Sequence, residues 1–155
     1  MAIEIERKFL VDKEKWQTLD KGECIFYKQG YITSEPAKTI RVRISSDKAF
    51  LTIKGNTTGA SRAEFEYEIP VADANELFNN FCISSVAKNR YEISYAGKVW
   101  EVDEFLEENE GLLVAEIELE SENELFDLPA WVNKEVTEES KYYNANLASH
   151  PFKKW

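Results

Sequence analysis

The sequence predicts a mainly β fold in which about eight antiparallel strands form a sheet or barrel, with a few short helices added. Seven candidate strands carry charged residues on one face and apolar residues on the other, the period of two that is typical of strands. Most connections are short, and the tripeptide Ala-Gly-Lys at 96–98 is typical of a hairpin. The 155 residues contain no internal repeat and no domain boundary, so we expect one domain over 1–155.

The elements follow from local patterns along the chain. Strands are predicted over 3–9, 25–32, 39–44, 49–54, 62–69, 86–95, 99–105 and 112–121. Helices are predicted over 13–19, 73–81, 122–126 and 138–147. Asp12 and Asp73 are good N-caps for the first two helices, and glycines bound a predicted loop over 55–59. Arg7 falls on the apolar face of the first strand, so we expect it to reach the surface or to pair there.

Composition excludes several classes of protein. The formal net charge of −10 argues against binding to nucleic acid or to an anionic membrane, and the longest apolar runs are too short for a membrane span. Two cysteines and a charged N-terminus favour a reduced, cytoplasmic setting. His150 is the only histidine, which leaves oxygen ligands for any metal and therefore favours Mg²⁺ or Mn²⁺.

The charged faces of the strands are almost purely ionic, and each is dominated by one sign. The basic positions are Lys8, Arg41, Arg43, Lys54, Lys88 and Arg90, and the acidic ones are Glu4, Glu6, Glu64, Glu66, Glu68, Asp103, Glu116, Glu118 and Glu120. Like charges two residues apart repel in water, but they suit a multiply charged ligand: arginine matches phosphate oxygens, and carboxylates hold a metal that binds phosphate. The pattern alone leaves a second interpretation open, a barrel or sandwich whose charged face lies in water.

The ordered series of motifs resembles a known family. Glu4-x-Glu6-x-Lys8 resembles the signature of the CYTH domain, also called the triphosphate tunnel metalloenzyme superfamily. The family's order continues with Arg41-x-Arg43, Thr52-x-Lys54-Gly55, Arg62-x-Glu64-x-Glu66-x-Glu68, Lys88-x-Arg90, Asp103 and Glu116-x-Glu118. The segment from Tyr142 to Ala148 resembles its C-terminal helix, so the likeness covers essentially the whole chain.

The resemblance implies an eight-stranded antiparallel tunnel with a charged lumen that binds a triphosphate with Mg²⁺ or Mn²⁺. It implies metal ligation by Glu4, Glu6, Glu64, Asp103, Glu116 and Glu118, and phosphate binding by Lys8, Arg41, Arg43, Lys54, Arg62, Lys88 and Arg90. It also implies that Lys8, Glu4 and Glu6 take part in catalysis.

The activity that the resemblance implies is metal-dependent hydrolysis of a triphosphate, with inorganic tripolyphosphate as the first expectation. The alternatives are adenylate cyclase or thiamine-triphosphatase activity, which occur in the family, and a polyphosphate-binding module without turnover. The expected partner is a small-molecule triphosphate, with no nucleic acid and no membrane. The protein is expected to be a monomer or a homodimer.

Overall fold

Eight antiparallel strands close into a barrel in the computed structural model, which describes residues 3–155. They are β1 (Ile3–Val11), β2 (Cys24–Glu35), β3 (Lys38–Ser45), β4 (Lys48–Thr58), β5 (Ser61–Ile69), β6 (Ser84–Tyr95), β7 (Lys98–Phe105) and β8 (Leu113–Glu118). The order of neighbours is β5-β4-β3-β2-β6-β7-β8-β1, and pairing of β1 with β5 at Ile3–Ala63, Glu4–Arg62 and Ile5–Ser61 closes the ring. The fold predicted from the sequence is therefore confirmed, while residues 1 and 2 of the predicted domain lie outside the described part.

A ninth strand lies on the outside of the closure. This strand, β9 (Val132–Glu135), pairs with β1 at Phe9 and Val11, on the edge that β5 leaves uncovered. No strand is predicted there from the sequence. The helix predicted over 122–126 is wrong, because that segment forms a turn followed by chain without regular secondary structure. The loop predicted over 55–59 is also wrong, since β4 continues through Thr58.

The helices are short and lie outside or at one end of the barrel. They are α1 (Lys13–Thr18), α2 (Val71–Phe81) and α3 (Asn144–Ser149), with 3₁₀ turns at Glu107–Asn109, Ser140–Tyr142 and Phe152–Lys154. Asp12 caps α1 as predicted, because its carboxylate accepts a hydrogen bond from the Lys15 amide at 3.1 Å. The cap predicted at Asp73 is wrong: α2 begins two residues earlier, after Pro70.

No helix within residues 3–155 has both the length and the apolar run that crossing a membrane requires.

The outward faces of the strands supply the hydrophobic core. Phe9, Trp100, Val102, Ala115 and Ile117 are buried on the outside of β1, β7 and β8, where Trp16 of α1 and Trp131 cover them. On the opposite side of the barrel, Ala74 of α2 packs on Val42 and Ala49. Because the apolar residues are buried outside the barrel, the inward-facing residues of the same strands can be polar.

The interior of the barrel changes character along its length. Strand alternation places Val86, Phe105 and Val114 in the same inward rows as the charged residues, but nearer one end. Leu147 of α3 and Tyr142 pack against this apolar end. The C-terminal segment therefore closes one end of the interior, and the ionic rows occupy the rest of it.

Candidate active site

The ionic interior contains a cavity in two adjoining parts. The larger part has a volume of about 360 Å³ and the smaller about 210 Å³. Glu4, Glu6, Arg41, Lys54 and Asn144 line both parts. The volume suits a small-molecule ligand, since ligand pockets in proteins begin at roughly 300 Å³.

Every residue predicted for the site except Asp103 lines this cavity. The larger part receives Glu4, Glu6, Lys8, Arg41, Lys54 and Arg62. The smaller part adds Arg43, Glu64, Lys88, Arg90, Glu116 and Glu118. These side chains come from β1, β3, β4, β5, β6 and β8, so only closure of the barrel brings them together.

Carboxylates concentrate where β1 meets β8. Glu6 lies directly opposite Glu118 across the two strands, and Lys8 lies opposite Glu116. Burial raises the pKa of Glu6 and of Glu118, and the negative charges of neighbouring glutamates raise it further. Like charges opposed across a sheet destabilise it unless a cation lies between them.

Lysine side chains hold part of this acidic set. The Lys8 ammonium donates to Glu116 at 2.6 Å and lies 3.3 Å from Glu6, and Lys54 lies 2.9 Å from Glu4 and 3.2 Å from Glu64. Burial alone would lower the pKa of Lys8, but the charges of Glu116 and Glu6 outweigh it and raise that pKa. Lys8 is therefore a cation and a hydrogen-bond donor in this cavity.

The donor set fits a divalent cation in its chemistry. Within residues 3–155, no three histidine, cysteine or acidic side chains are arranged as a ready-made metal site. Glu4 and Glu116 instead face lysines, and Glu6 and Glu118 face each other. These side chains lie close together and offer carboxylate oxygens, the ligands that Mg²⁺ and Mn²⁺ prefer. A bound cation would relieve the repulsion between the carboxylates.

Arg41 and Arg43 form the opposite wall, on the inward face of β3. Arg43 donates from Nη2 to Glu66 at 3.1 Å, and Arg41 donates from Nη2 to Thr52 at 3.3 Å. In the described part of the chain, the buried Nε–H of each guanidinium has no hydrogen-bond acceptor. Burial, and to a smaller extent the adjacent Arg41 charge, lower the pKa of Arg43.

Asp103 lies behind the cavity wall. It is completely buried, and its two oxygens accept hydrogen bonds from Lys88 at 2.8 Å and from Arg90 at 2.7 and 2.9 Å. Burial alone would raise the pKa of Asp103, but the charges of Arg90 and Lys88 outweigh it and lower that pKa. Burial also lowers the pKa of Lys88 to about 8, because the charge of Asp103 compensates only part of the desolvation. Asp103 thus fixes two cations that face the cavity, and both of its oxygens are already engaged.

The uncharged residues of the interior are not among those predicted from the sequence. Tyr31 lines the larger part of the cavity and accepts a hydrogen bond from the buried Gln29 at 3.2 Å. The ring of Tyr27 lies 4.9 Å from the Arg43 guanidinium and 5.6 Å from that of Arg90. Asn144 reaches the cavity from the first turn of α3. The charge pattern could not reveal these residues, because they carry no charge. The aromatic residues of β2 were a signal that its inward face is uncharged, unlike those of the neighbouring strands.

Comparison with known proteins agrees with this geometry. The CYTH domain family matches residues 2–150. An inorganic triphosphatase of Acetivibrio thermocellus is 49% identical over 154 residues, which cover 99% of this chain and 97% of that protein. An inorganic triphosphatase of Nitrosomonas europaea is 35% identical over 152 residues, with 94% and 96% covered.

A crystal structure of an inorganic triphosphatase superposes with a TM-score of 0.66 at 32% identity, covering 96% of this chain and 95% of that one. Sequence, family and fold comparisons thus agree over nearly the full length, and they confirm the resemblance drawn from the charged motifs. The chain belongs to the CYTH domain family.

Proposed function

We propose that this protein hydrolyses a triphosphate, with inorganic tripolyphosphate as the first substrate, in the ionic interior of its barrel. The observation that carries the proposal is the pair of buried guanidinium Nε–H groups of Arg41 and Arg43, which lack an acceptor among the described residues. The similarity to proteins named inorganic triphosphatase, up to 49% identical, supports the same conclusion.

The two arginines favour an anionic ligand on energetic grounds. A buried donor without a partner costs about 1–3 kcal/mol, and proteins rarely retain two of them side by side. Phosphate oxygens would satisfy both donors, and the planar guanidinium matches their geometry. A chain of phosphates could then continue from Arg41 and Arg43 to Lys54 and Lys88, which line the same cavity.

We assign Glu4, Glu6, Glu64, Glu116 and Glu118 to a divalent cation, Mg²⁺ or Mn²⁺. Three observations support this assignment: Glu6 lies opposite Glu118 across β1 and β8, Glu4 interacts with Glu64, and repulsion between carboxylates adds to burial in raising the pKa of Glu4, Glu6 and Glu118. A cation held there would polarise the scissile phosphate and neutralise charge in the transition state. We propose that Asp103 holds Lys88 and Arg90 in place and does not bind the metal, because both of its oxygens already accept hydrogen bonds from these two side chains.

Positioning and electrostatics carry most of the rate enhancement in phosphoryl transfer. Arg41, Arg43, Lys54, Lys88 and Arg90 would hold the phosphates, and Arg62 would extend this set into the larger part of the cavity. Lys8 lines the larger part of the cavity, so its ammonium would be a donor toward the charge that develops on the reacting oxygens. Glu4 and Glu6 present carboxylate oxygens beside Lys8, from which a water can be oriented.

The proposed partner is a free small-molecule triphosphate in the cytoplasm. The net charge of −10 supports the absence of nucleic acid and of anionic membranes as partners. The cations assigned to phosphate binding line the interior cavity and not the outer surface. A homodimer stays a prediction, which light scattering on the purified protein would test.

The test of the proposed function is phosphate release from tripolyphosphate with Mg²⁺ or Mn²⁺, compared between the wild type and two variants. Glu4→Gln and Glu118→Gln should abolish metal-dependent release while circular dichroism shows an intact fold. Glu120→Gln is the matched control, because Glu120 follows β8 and lines neither part of the cavity, so it should keep wild-type activity. Full activity in both cavity variants would overturn the proposal.

A further inference from the structure

Asn144 connects the C-terminal segment to the ionic interior. Its Oδ1 accepts a hydrogen bond from the Lys88 ammonium at 3.0 Å, and it lines both parts of the cavity. Neither charge patterning nor the family likeness assigned Asn144 a role. Its contact with one of the proposed phosphate-binding lysines makes it a candidate for a role in the reaction.

Lys88 is almost completely enclosed, with 1% of its surface exposed. A lysine ammonium has three N–H donors. One donates to Asp103 on β7 at 2.8 Å and a second to Asn144 on α3 at 3.0 Å. Because Lys88 also lines the smaller part of the cavity, the remaining donor is the one that a ligand can use.

Two acceptors on separate elements fix the direction of the third donor. Asp103 alone would leave the flexible lysine side chain free to rotate about a single hydrogen bond. Asn144 removes that freedom without adding negative charge beside the proposed phosphates, which a carboxylate at the same position would do.

We propose that Asn144 is a positioning residue that holds the Lys88 ammonium so that its remaining N–H donor points at a bound phosphate. The inference rests on the proposed function, since it concerns how Lys88 engages a triphosphate. It assigns the C-terminal segment a part in substrate binding in addition to closing the apolar end of the barrel.

A purely structural role for the Asn144 side chain does not account for the arrangement. Leu147, which has no exposed surface, docks α3 on the apolar end of the interior. Asn109 donates to the Leu147 carbonyl at 3.2 Å, and the Tyr143 hydroxyl donates to the Thr137 carbonyl at 3.0 Å. These contacts hold the segment in place without the hydrogen bond to Lys88.

The experiment compares Asn144→Ala with Ser149→Ala in steady-state hydrolysis of tripolyphosphate with Mg²⁺. Ser149 is the last residue of the same helix, has an exposed side chain and lines neither part of the cavity. Asn144→Ala should raise KM about tenfold with a smaller change in kcat, the size expected for one hydrogen bond to a charged group. Ser149→Ala should leave KM near the wild-type value.

Each result has a distinct meaning. An inactive wild type overturns the proposed function itself. An active wild type with equal KM in Asn144→Ala and Ser149→Ala overturns only the positioning role. A lower KM in Asn144→Ala overturns it as well, because Asn144 would then compete with the phosphate for Lys88. Asn144→Leu, which keeps the side-chain volume without an acceptor, should reproduce the Asn144→Ala result if the alanine variant folds poorly.

A double-mutant cycle tests whether Asn144 acts through Lys88. In a Lys88→Met background, Asn144→Ala should change KM by less than twofold, because the group that it positions is gone. A tenfold increase in that background as well would overturn the inference.

Discussion

Arg43 and Arg90 lie in the same interior but use their donors in different ways. Arg90 donates to Asp103 from Nε and Nη2 and to Glu101 from Nη1, so its fork is engaged by the protein. Arg43 donates to Glu66, while its buried Nε–H has no acceptor in the described part of the chain. Stacking of Arg43 on the Tyr27 ring, 4.9 Å away, holds its guanidinium without consuming an N–H donor. Arg43 is therefore available to a ligand, and Arg90 contributes mainly its charge.

This difference predicts that Arg43→Met separates stability from binding. The variant removes a buried donor without an acceptor, and Glu66, which loses Arg43, keeps a hydrogen bond from Thr52 at 3.0 Å. The unfolding temperature of the ligand-free protein should therefore change little. Stabilisation by tripolyphosphate in a thermal-shift assay should fall strongly, since bound ligand stabilises only in proportion to its affinity. Lys48→Met, at the exposed start of β4, is the control and should keep the wild-type shift. An undiminished shift in Arg43→Met would contradict the assignment.

At the residue scale, the sequence predicts the charged part of the site and misses the rest. Arg7 and Lys8 were assigned to opposite faces by parity alone, and the structure places Arg7 outside with Glu135 and Lys8 inside with Glu116. Asn144 could not be found in this way, because an asparagine in a polar segment carries no periodic signal and α3 docks through tertiary contacts.

Among the elements, β1 shows most directly how the alternation of side chains between two faces determines the role of each residue. On its outer face, the Arg7 guanidinium donates to Glu135 of β9 at 2.6 and 2.8 Å and lies 5.0 Å from the Phe126 ring. On its inner face, Glu4, Glu6 and Lys8 line the cavity. One strand therefore carries both an outer structural contact and the proposed chemistry.

Arg7→Met should lower the free energy of unfolding by about 1 kcal/mol at pH 7, the usual worth of an exposed pair with a cation–π contact. The hydrogen bond from Arg7 lowers the pKa of Glu135 from 4.5, so this stabilisation is present above pH 4.5 and is lost as the pH falls below it. Urea unfolding at pH 7 and at pH 3 should therefore show a difference between variant and wild type that shrinks at the lower pH. Because Arg7 lies outside, kcat/KM should not change, and a large loss of activity would contradict the parity of β1.

The contact between α2 and β2 depends on the absence of a side chain at Gly30. A Cβ there would lie 2.6 Å from the Cys82 sulfur and 2.7 Å from the Phe78 ring. Gly30→Ala should therefore destabilise the protein by about 1–3 kcal/mol, as overpacking does. Gly55→Ala is the control, since its Cβ would meet only the Ala63 Cβ at 3.6 Å. Equal unfolding free energies for the two variants in urea would contradict the close packing of α2.

The elements that sequence reasoning missed lack a strong local signal. The four residues of β9 are too few to show alternation, and they become a strand because β5 leaves part of the β1 edge uncovered. The segment at 55–58 reads as a loop from its glycine and small polar residues, but pairing of Thr57 with Arg62 and of Thr58 with Ser61 extends the strand. Tertiary pairing overrides weak local propensity in both places.

The whole molecule reverses the usual arrangement of a small β-barrel. Apolar residues face outward beneath α1, α2 and the segment around Trp131, and charged residues face inward. The sequence pattern left a solvated charged face open as an alternative, and only closure of β1 on β5 brings the acidic and basic rows to one cavity. A net charge of −10 is compatible with this arrangement because the cations that meet a polyanion lie inside.

The measurement that tests this account most directly is phosphate release from tripolyphosphate by the wild-type protein, with Mg²⁺ or Mn²⁺ and then with excess EDTA. We expect rapid release with either metal, leaving pyrophosphate, and loss of release when EDTA is added. An absence of release with both metals, or release that EDTA does not affect, would contradict the claim that the charged interior is a metal-dependent triphosphatase site.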